Sequence, residues 1–242
     1  MGSVEVVAPA KLTLTLRVTG VRADGYHLID AEMVTLVLHD TLRIDPDGHG
    51  IEVTGPYAGG VPTDGSNLMF RALGLAGRTA GIVVDKRIPN GGGLGGGSAD
   101  AAAVLRWAGW TDVAAAATIG ADVAFCLAGG RARVTGIGER VEPLPPAPRT
   151  FTLVIPPLRC PTPIVYRAWD ALGGPHGDHD NDLEPAAIAA VPEMATWRDR
   201  ITEAAGTRPR LAGSGATWFL DGDHGYLADR LPGADVEVTR TR

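Results

Sequence analysis

Apolar and polar residues alternate through much of the first half of the chain, which is the pattern of β-strands that bury one face. His39 and Asp40 interrupt the alternation, and we interpret them as a break between two strands. An unbroken apolar run at 151–155 predicts a buried strand in the second half. The predicted strands cover 4–7, 12–18, 33–38, 41–44, 51–53, 82–86, 131–134, 140–143 and 151–155, with 131–134 and 140–143 as edge strands.

Helical patterns lie between these strands and after them. The predicted helices cover 67–75, 99–105, 111–119, 162–172 and 186–205. Prolines crowd the segment 143–148 and exclude regular structure there, so this segment is the best candidate for a linker. We therefore predict an α+β protein of two closely packed domains, 1–147 and 148–242.

The richest local signal is a glycine run between a predicted strand and a predicted helix. Gly91 to Gly97 are all glycine except Leu94, and Ser98 follows as a candidate N-cap of the helix. Glycine lets backbone N–H groups approach a ligand and can adopt positive φ. Free N–H groups at the positive end of a helix dipole form a phosphate site. The pattern therefore predicts a nucleotide-phosphate loop.

Three other interpretations of the glycine run are weaker. A flexible linker is usually rich in serine or proline and joins separate domains. A Walker loop needs a lysine before its final serine, and Gly97 stands there instead. A dinucleotide loop needs an acidic residue at a strand end about twenty positions on, but Asp112 follows no strand pattern.

Composition narrows the possible partners. The net charge of −6 and the lack of Lys/Arg runs argue against nucleic acid. No apolar run approaches ~18 residues and no signal-peptide pattern is present, so we expect a cytoplasmic protein without a membrane partner. Two distant cysteines, Cys126 and Cys160, are expected to be reduced and buried. The histidines and aspartates of 176–180 are expected to form a solvated loop rather than a metal site.

Four short motifs complete the candidate site. Lysine occurs only at Lys11 and Lys86, although arginine is frequent. The motifs are Pro9-Ala10-Lys11, Asp24-Gly25-Tyr26-His27, Gly120-Ala121-Asp122 and Gly213-Ser214-Gly215. With the glycine run, they resemble the GHMP small-molecule kinases over nearly the whole chain. This resemblance implies a ribosomal-S5-like N-terminal domain and a ferredoxin-like C-terminal domain, with the active site in the cleft between them.

The resemblance also implies the catalytic roles. Asp122 would be the base that accepts a proton from the substrate hydroxyl, and Lys11 would stabilise the negative charge on that oxygen. ATP would be the phosphate donor, and Ser98 would lie near its Mg²⁺ ion. The residues implied to bind the nucleotide are Pro89, Gly91, Gly92, Gly93, Leu94, Gly95, Gly96, Gly97, Ser98, Asn67 and Lys86.

The acceptor implied by the resemblance is a small alcohol that carries a cytidine group. Tyr26 and Tyr166 would stack on the two faces of the base, and His27 would bond its edge. Further implied substrate contacts are Thr13, Thr162, Gly213 and Ser214.

The sequence departs from this family's pattern at two places. Thr13 stands where the family usually has asparagine, and the segment 98–120 is shorter by about a helix and its loop. Two alternatives therefore stay open: a GHMP kinase for another small alcohol such as homoserine, mevalonate or a sugar, and a non-catalytic nucleotide-binding homologue. We expect a monomer or a weak homodimer.

Overall fold

Two long strands form the centre of the first sheet. The computed structural model describes residues 2–177 and 179–242. In it β1 (Val4–Val21) and β2 (His27–Asp45) pair antiparallel along almost their whole length. A short turn joins them.

The prediction that each of these strands is broken in two was wrong. β1 continues through 8–11 because a register shift between Pro9 and Lys11, a β-bulge, absorbs the irregularity without ending the strand. β2 continues through His39 and Asp40, which pair with Pro9 and Ala8. Asp40 is fully buried there, because other residues of the fold supply hydrogen-bond donors to its carboxylate.

β2 carries neighbours on both of its edges. The remaining strands of this sheet are β3 (Ile51–Thr54), β4 (Gly81–Asp85), β5 (Arg131–Gly136) and β6 (Arg140–Pro143). On the edge of β2 that faces away from β1, the C-terminal part of β2 pairs with β4 and its N-terminal part pairs with β5. β3 extends the sheet beyond β4 in parallel, and β6 beyond β5. Both β5 and β6 were predicted to be edge strands. The prediction is confirmed for β6 but was wrong for β5, which lies between β2 and β6.

Helices cover this sheet and hold the glycine loop against it. They are α1 (Leu68–Leu75), α2 (Gly96–Trp107), α3 (Val113–Ala116) and α4 (Ala121–Ala128). α2 is buried along most of its length and packs on β1, β2, α1 and α4. α3 is shorter than the predicted 111–119, because Asp112 caps it by accepting from the Ala115 N–H and the chain leaves it in a tight turn at Thr118.

The second half forms a four-stranded antiparallel sheet with its own helices. The strands are β7 (Thr150–Ile155), β8 (Arg210–Leu211), β9 (Trp218–Asp221) and β10 (Asp235–Arg240), in the order β10-β7-β9-β8. The helices are α5 (Thr162–Ala171), α6 (Glu184–Ala190), α7 (Glu193–Ala205) and α8 (Leu227–Arg230). The single helix predicted at 186–205 was wrong. Pro192 cannot continue a helix, so α6 ends before it, at Ala190, and α7 begins directly after it, at Glu193.

The α+β class is confirmed, and the two sheets lie on either side of residues 144–149. The division at 147/148 stays a prediction. No helix among the described residues is both long and apolar enough to cross a bilayer.

The buried carboxylate of Asp182 connects the second half of the chain to β1 in the first half. Asp182 is fully buried and accepts from the N–H groups of Val18 at 2.9 Å and Gly177 at 3.0 Å and from Arg17 Nη1 at 2.9 Å. Burial acts to raise the pKa of Asp182, but these donors outweigh it and hold the pKa below its usual value. Leu16 also exchanges backbone hydrogen bonds with Asp180 and Asp182.

We expect Asp182→Asn to lower the free energy of unfolding by roughly 1–3 kcal/mol at pH 7, because the amide turns an N–H group toward a buried N–H donor. Urea unfolding at pH 7 and pH 3 measures the effect. Since the folded pKa is depressed, the carboxylate's contribution is present above its unfolded pKa of about 3.9 and is lost as the pH falls further. The control is Asp180→Asn, whose carboxylate is exposed and should matter by less than about 1 kcal/mol. Equal effects of the two variants would contradict this role.

Candidate active site

The glycine loop between β4 and α2 requires glycine for conformation and for contact. Gly91, Gly93 and Gly95 have φ of 72°, 78° and 68°. A Cβ on Gly93 would lie 2.1 Å from the carbonyl oxygen of Ala212, and one on Gly95 would lie 2.8 Å from Lys11 Cγ. Side chains at these positions would therefore push the loop away from both neighbours.

No side chain caps the first turn of α2. The prediction that Ser98 is the N-cap was wrong. The N-cap is Gly95 in the left-handed conformation, with no side-chain cap, and Ser98 is the third residue of the helix. Glycine takes the cap position because Lys11 lies too close for any side chain. The N–H groups of the first turn therefore remain available at the positive end of the helix dipole.

Lys11 and Asp122 meet beside this loop. Lys11 lies on β1, is 5% exposed, and its Nζ is 3.4 Å from Oδ2 of Asp122 in the first turn of α4. The same Nζ donates to Thr13 Oγ1 at 3.1 Å. The backbone N–H of Lys11 donates to the carbonyl of Leu94 at 3.0 Å. The strand, the loop and the helix therefore fix the lysine and the carboxylate in contact at the loop.

A second glycine turn closes the other side of the site. Gly213 lies so close that a Cβ there would be 3.4 Å from Lys11 Nζ. Ser214 and Thr162 share a hydroxyl–hydroxyl hydrogen bond of 2.8 Å. Buried Asn181 donates to the carbonyls of Leu211 and Gly213 at 2.9 and 2.7 Å. The Asn181 amide therefore holds this turn in place.

The aromatic residues form the far end of the site. His27 stacks on Tyr166, with ring centroids 4.6 Å apart, and meets Trp169 edge-on at 5.4 Å. Its Nε2 is 2.7 Å from Asp170 Oδ1, so the imidazole is held on three sides. Tyr26 is the last residue of the β1–β2 turn, directly before β2, and is 59% exposed. Asp170 was not predicted as a site residue, because only the folded chain brings α5, which carries it, next to His27.

Two predicted nucleotide contacts use their polar atoms within the protein. Asn67 caps α1 by accepting from the Met69 N–H at 2.9 Å, and its amide donates to the Pro62 carbonyl at 2.7 Å. Lys86 is buried between the carboxylates of Asp40 and Asp100. Burial acts to lower the pKa of Lys86, but the two carboxylates outweigh it and the pKa is raised.

One cavity of about 780 Å³ brings nearly all the predicted residues together. Leu94 is the exception, since its side chain is fully buried below the loop. The predicted residues that line the cavity are Lys11, Thr13, Tyr26, His27, Asn67, Lys86, Pro89, Gly91, Gly92, Gly93, Gly95, Gly96, Gly97, Ser98, Asp122, Thr162, Tyr166, Gly213 and Ser214.

The described part of the chain holds no group of three or more His, Cys, Asp or Glu residues placed to bind a metal ion. His176 and Asp180 lie in the segment expected to be a solvated loop, and Asp178 of that segment is outside the described residues. Both cysteines are free and buried, and burial raises the pKa of Cys126 to about 12 and that of Cys160 to about 11.

Comparison with known proteins places this fold among the GHMP kinases. Residues 65–130, which include the glycine loop, match the family described as GHMP kinases N terminal domain. A mevalonate kinase structure from Methanococcus jannaschii has the same fold, with a TM-score of 0.62, 12% identity, and coverage of 100% of this chain and 99% of that one.

Closer relatives narrow the family. The 4-diphosphocytidyl-2-C-methyl-D-erythritol kinase of Paracoccus denitrificans (strain Pd 1222) is 42% identical over 231 residues, which are 88% of this chain and 84% of the relative. A crystal structure of 4-(cytidine 5'-diphospho)-2C-methyl-D-erythritol kinase aligns with a TM-score of 0.77 and 33% identity, over 99% of this chain and 100% of that one. The chain belongs to the 4-diphosphocytidyl-2-C-methyl-D-erythritol kinase family, and it is therefore a small-molecule kinase that uses ATP.

We expect Gly93→Ala to disrupt the loop, because it combines a strained backbone with a contact of 2.1 Å to the Ala212 carbonyl. Thermal unfolding with and without Mg·ATP should show a lower Tm and no stabilisation by the nucleotide. Gly91→Ala is the matched control, since it has the same positive φ but no atom within 4 Å of the added Cβ. If both variants lose the ATP-dependent shift equally, the contact with Ala212 is not what fixes the loop.

Proposed function

We propose that this chain transfers the γ-phosphoryl group of ATP to the 2-hydroxyl of 4-(cytidine 5'-diphospho)-2-C-methyl-D-erythritol, in the non-mevalonate route to isoprenoid precursors. The contact between Lys11 and Asp122 beside the glycine loop carries this proposal, because it puts a base and a cation where a hydroxyl would meet a phosphate. The names of the relatives support the choice of substrate.

The chemistry needs a proton acceptor and charge stabilisation. Asp122 is partly exposed at the cavity, so its carboxylate can accept the hydroxyl proton as the oxygen attacks phosphorus. Lys11 is held by Thr13 and the loop, so its ammonium stays beside the same oxygen and stabilises the developing negative charge. Phosphoryl transfer depends mainly on such positioning and electrostatics.

The glycine loop would bind the ATP phosphates through its N–H groups and the first turn of α2. Mg²⁺ fits this arrangement as a phosphate-bound ion, because it usually keeps several waters and takes few protein ligands. The Ser98 hydroxyl and the Asp122 carboxylate are two of the side-chain oxygens that line the cavity and could reach such an ion. When bound, the ion would neutralise phosphate charge and help to orient the γ-phosphoryl group.

The aromatic end of the cavity fits a cytosine ring. Tyr166 and Tyr26 offer apolar faces, and His27 offers a ring edge that Asp170 and Trp169 hold in place. Burial raises the pKa of Tyr166, and the charge of Asp122 raises it further, so this side chain is a neutral phenol. Homoserine, mevalonate and simple sugars carry no base that would use these rings.

We expect Asp122→Asn to lower kcat by roughly 10²–10⁴-fold without destabilising the fold, since it removes the proton acceptor and keeps the shape. A coupled assay of ADP release with Mg·ATP and the cytidine substrate measures this. Asp229→Asn, an exposed aspartate on α8, removes the same charge away from the site and should leave kcat unchanged.

Full activity of Asp122→Asn would refute the role of this carboxylate. A wild-type protein that ATP stabilises but that does not turn over this substrate would favour another small alcohol. Stabilisation without turnover of any alcohol would favour a non-catalytic nucleotide-binding homologue.

We expect Tyr166→Leu to raise KM for the cytidine substrate by roughly 5- to 150-fold, the equivalent of the 1–3 kcal/mol typical of base stacking. KM for ATP should not change, since the nucleotide occupies the other end of the cavity. Tyr166→Phe keeps the ring and is the matched control, and Tyr26→Leu tests the second face. An unchanged KM in both leucine variants would contradict a stacked base.

A further inference from the structure

One buried asparagine lies between the two halves of the chain, next to the site. Asn181 is 3% exposed and pairs with Leu16 of β1 through a parallel bridge. The Leu16 N–H donates to the Asp180 carbonyl at 2.7 Å, and the Asp182 N–H donates to the Leu16 carbonyl at 2.9 Å. Because these two bonds lie on either side of Asn181, its backbone is fixed on the strand that carries Lys11.

The side chain of Asn181 uses both of its N–H groups on the second glycine turn. Its amide donates to the carbonyls of Leu211 and Gly213 at 2.9 and 2.7 Å, and its Oδ1 accepts from the Leu183 N–H at 2.9 Å. An amide nitrogen has two hydrogens to donate, so both are in use here. Asn181 therefore holds the second glycine turn on β1 by a pair of buried hydrogen bonds.

The turn that Asn181 holds lies against Lys11. A Cβ on Gly213 would be 3.4 Å from Lys11 Nζ and 3.8 Å from Thr13 Oγ1. Ser214 is 7% exposed, and its hydroxyl shares a hydrogen bond with Thr162. Gly213 and Ser214 both line the large cavity. A shift of the turn would therefore change the space between its backbone and Lys11, where the alcohol would bind.

The same turn offers free backbone donors. The N–H groups of Gly213 and Ser214 have no hydrogen-bond partner within the described part of the chain, whereas the Gly215 N–H donates to the Ala212 carbonyl at 3.0 Å. Gly213 has a φ of 60°. Successive N–H groups in such a turn form a concave site for anions. The position of the turn therefore determines where these two donors can meet an oxygen of the acceptor.

We propose that Asn181 is a positioning residue for the acceptor side of the active site. By holding the second glycine turn on β1, it sets the distance between the N–H groups of Gly213 and Ser214 and the ammonium of Lys11. Asn181 does not itself line the cavity, so it acts through the turn. The proposal rests on the proposed function, in that the cavity must receive the cytidine-bearing alcohol.

The glycine loop has anchors that do not involve Asn181. The Lys11 N–H donates to the Leu94 carbonyl at 3.0 Å, and α2 packs on β1 and β2, so the first half of the chain holds the loop by itself. The Ala212 carbonyl touches the loop at Gly93 from the other side. Withdrawing the turn would open this contact without pushing any atom into the loop. Loss of Asn181 should therefore affect the alcohol and leave ATP binding unchanged.

Asn181→Asp is the sharpest test, because it keeps the shape and turns a carboxylate oxygen toward two carbonyls that need donors. Steady-state kinetics should show kcat/KM for the alcohol reduced by roughly 10²-fold, the scale of a small misplacement at a reacting centre. Calorimetric titration with Mg·ATP, without the alcohol, should give the wild-type dissociation constant. Asn181→Leu removes the donors without adding charge and should change the same two quantities in the same way. If Asn181→Asp fails to fold, this second variant decides.

Asp182→Asn is the matched control for a loss of packing between the halves. It weakens the hold of the neighbouring residue on Val18 but does not touch the second glycine turn. It should lower the Tm and leave kcat/KM for the alcohol unchanged.

Two results would overturn the positioning role. One is a folded Asn181 variant with wild-type kcat/KM for the alcohol. The other is a loss that Asp182→Asn reproduces, or that is matched by weaker ATP binding, since either would reflect general loosening of the fold. A wild type that does not turn over the alcohol refutes the proposed function and this proposal with it. A wild type that turns it over, with Asn181 variants that do so equally well, refutes this proposal alone.

Discussion

The contact between two glycine turns is the constraint on which the rest of the site depends. Gly93 lies against the Ala212 carbonyl with no room for a Cβ, and the Gly92 carbonyl accepts from the Thr217 N–H at 3.2 Å. This contact joins the glycine loop of the first half to the second half of the chain. It also brings Gly213 to Lys11, so this lysine lies at the junction of the two halves.

The local parts of this arrangement could be predicted from sequence because each depends on neighbours along the chain. The glycine loop needs only a strand before it and a helix after it. The errors also have local causes: a β-bulge near Pro9 and a buried Asp40 made continuous strands resemble broken ones. The helix after the glycine loop begins three residues before its predicted start, because the contact with Lys11 left room only for glycine at the cap.

The residues that sequence analysis missed act through partners distant along the chain. Asp40 and Asp100 lie 46 and 14 positions from Lys86, and Asp170 lies 143 positions from His27. An aspartate within a strand or a helix looks like a surface charge until the fold supplies its partner. Pattern analysis finds the groups that face the ligand, and only the folded structure shows which groups hold them in place.

The distribution of charge at the loop favours backbone groups over lysine side chains as the binders of an anion. The chain has only two lysines, and both are already paired: Lys86 with two buried carboxylates and Lys11 with Asp122. Neither is a free cation for a triphosphate. If the loop binds phosphates as we propose, the uncapped N–H groups of α2, the helix dipole and an ion carried by the nucleotide would supply attraction that the lysines do not. In the proposed mechanism this leaves Lys11 to act on the oxygen that reacts, and the backbone geometry of the loop, rather than lysine charge, would determine where the phosphates lie.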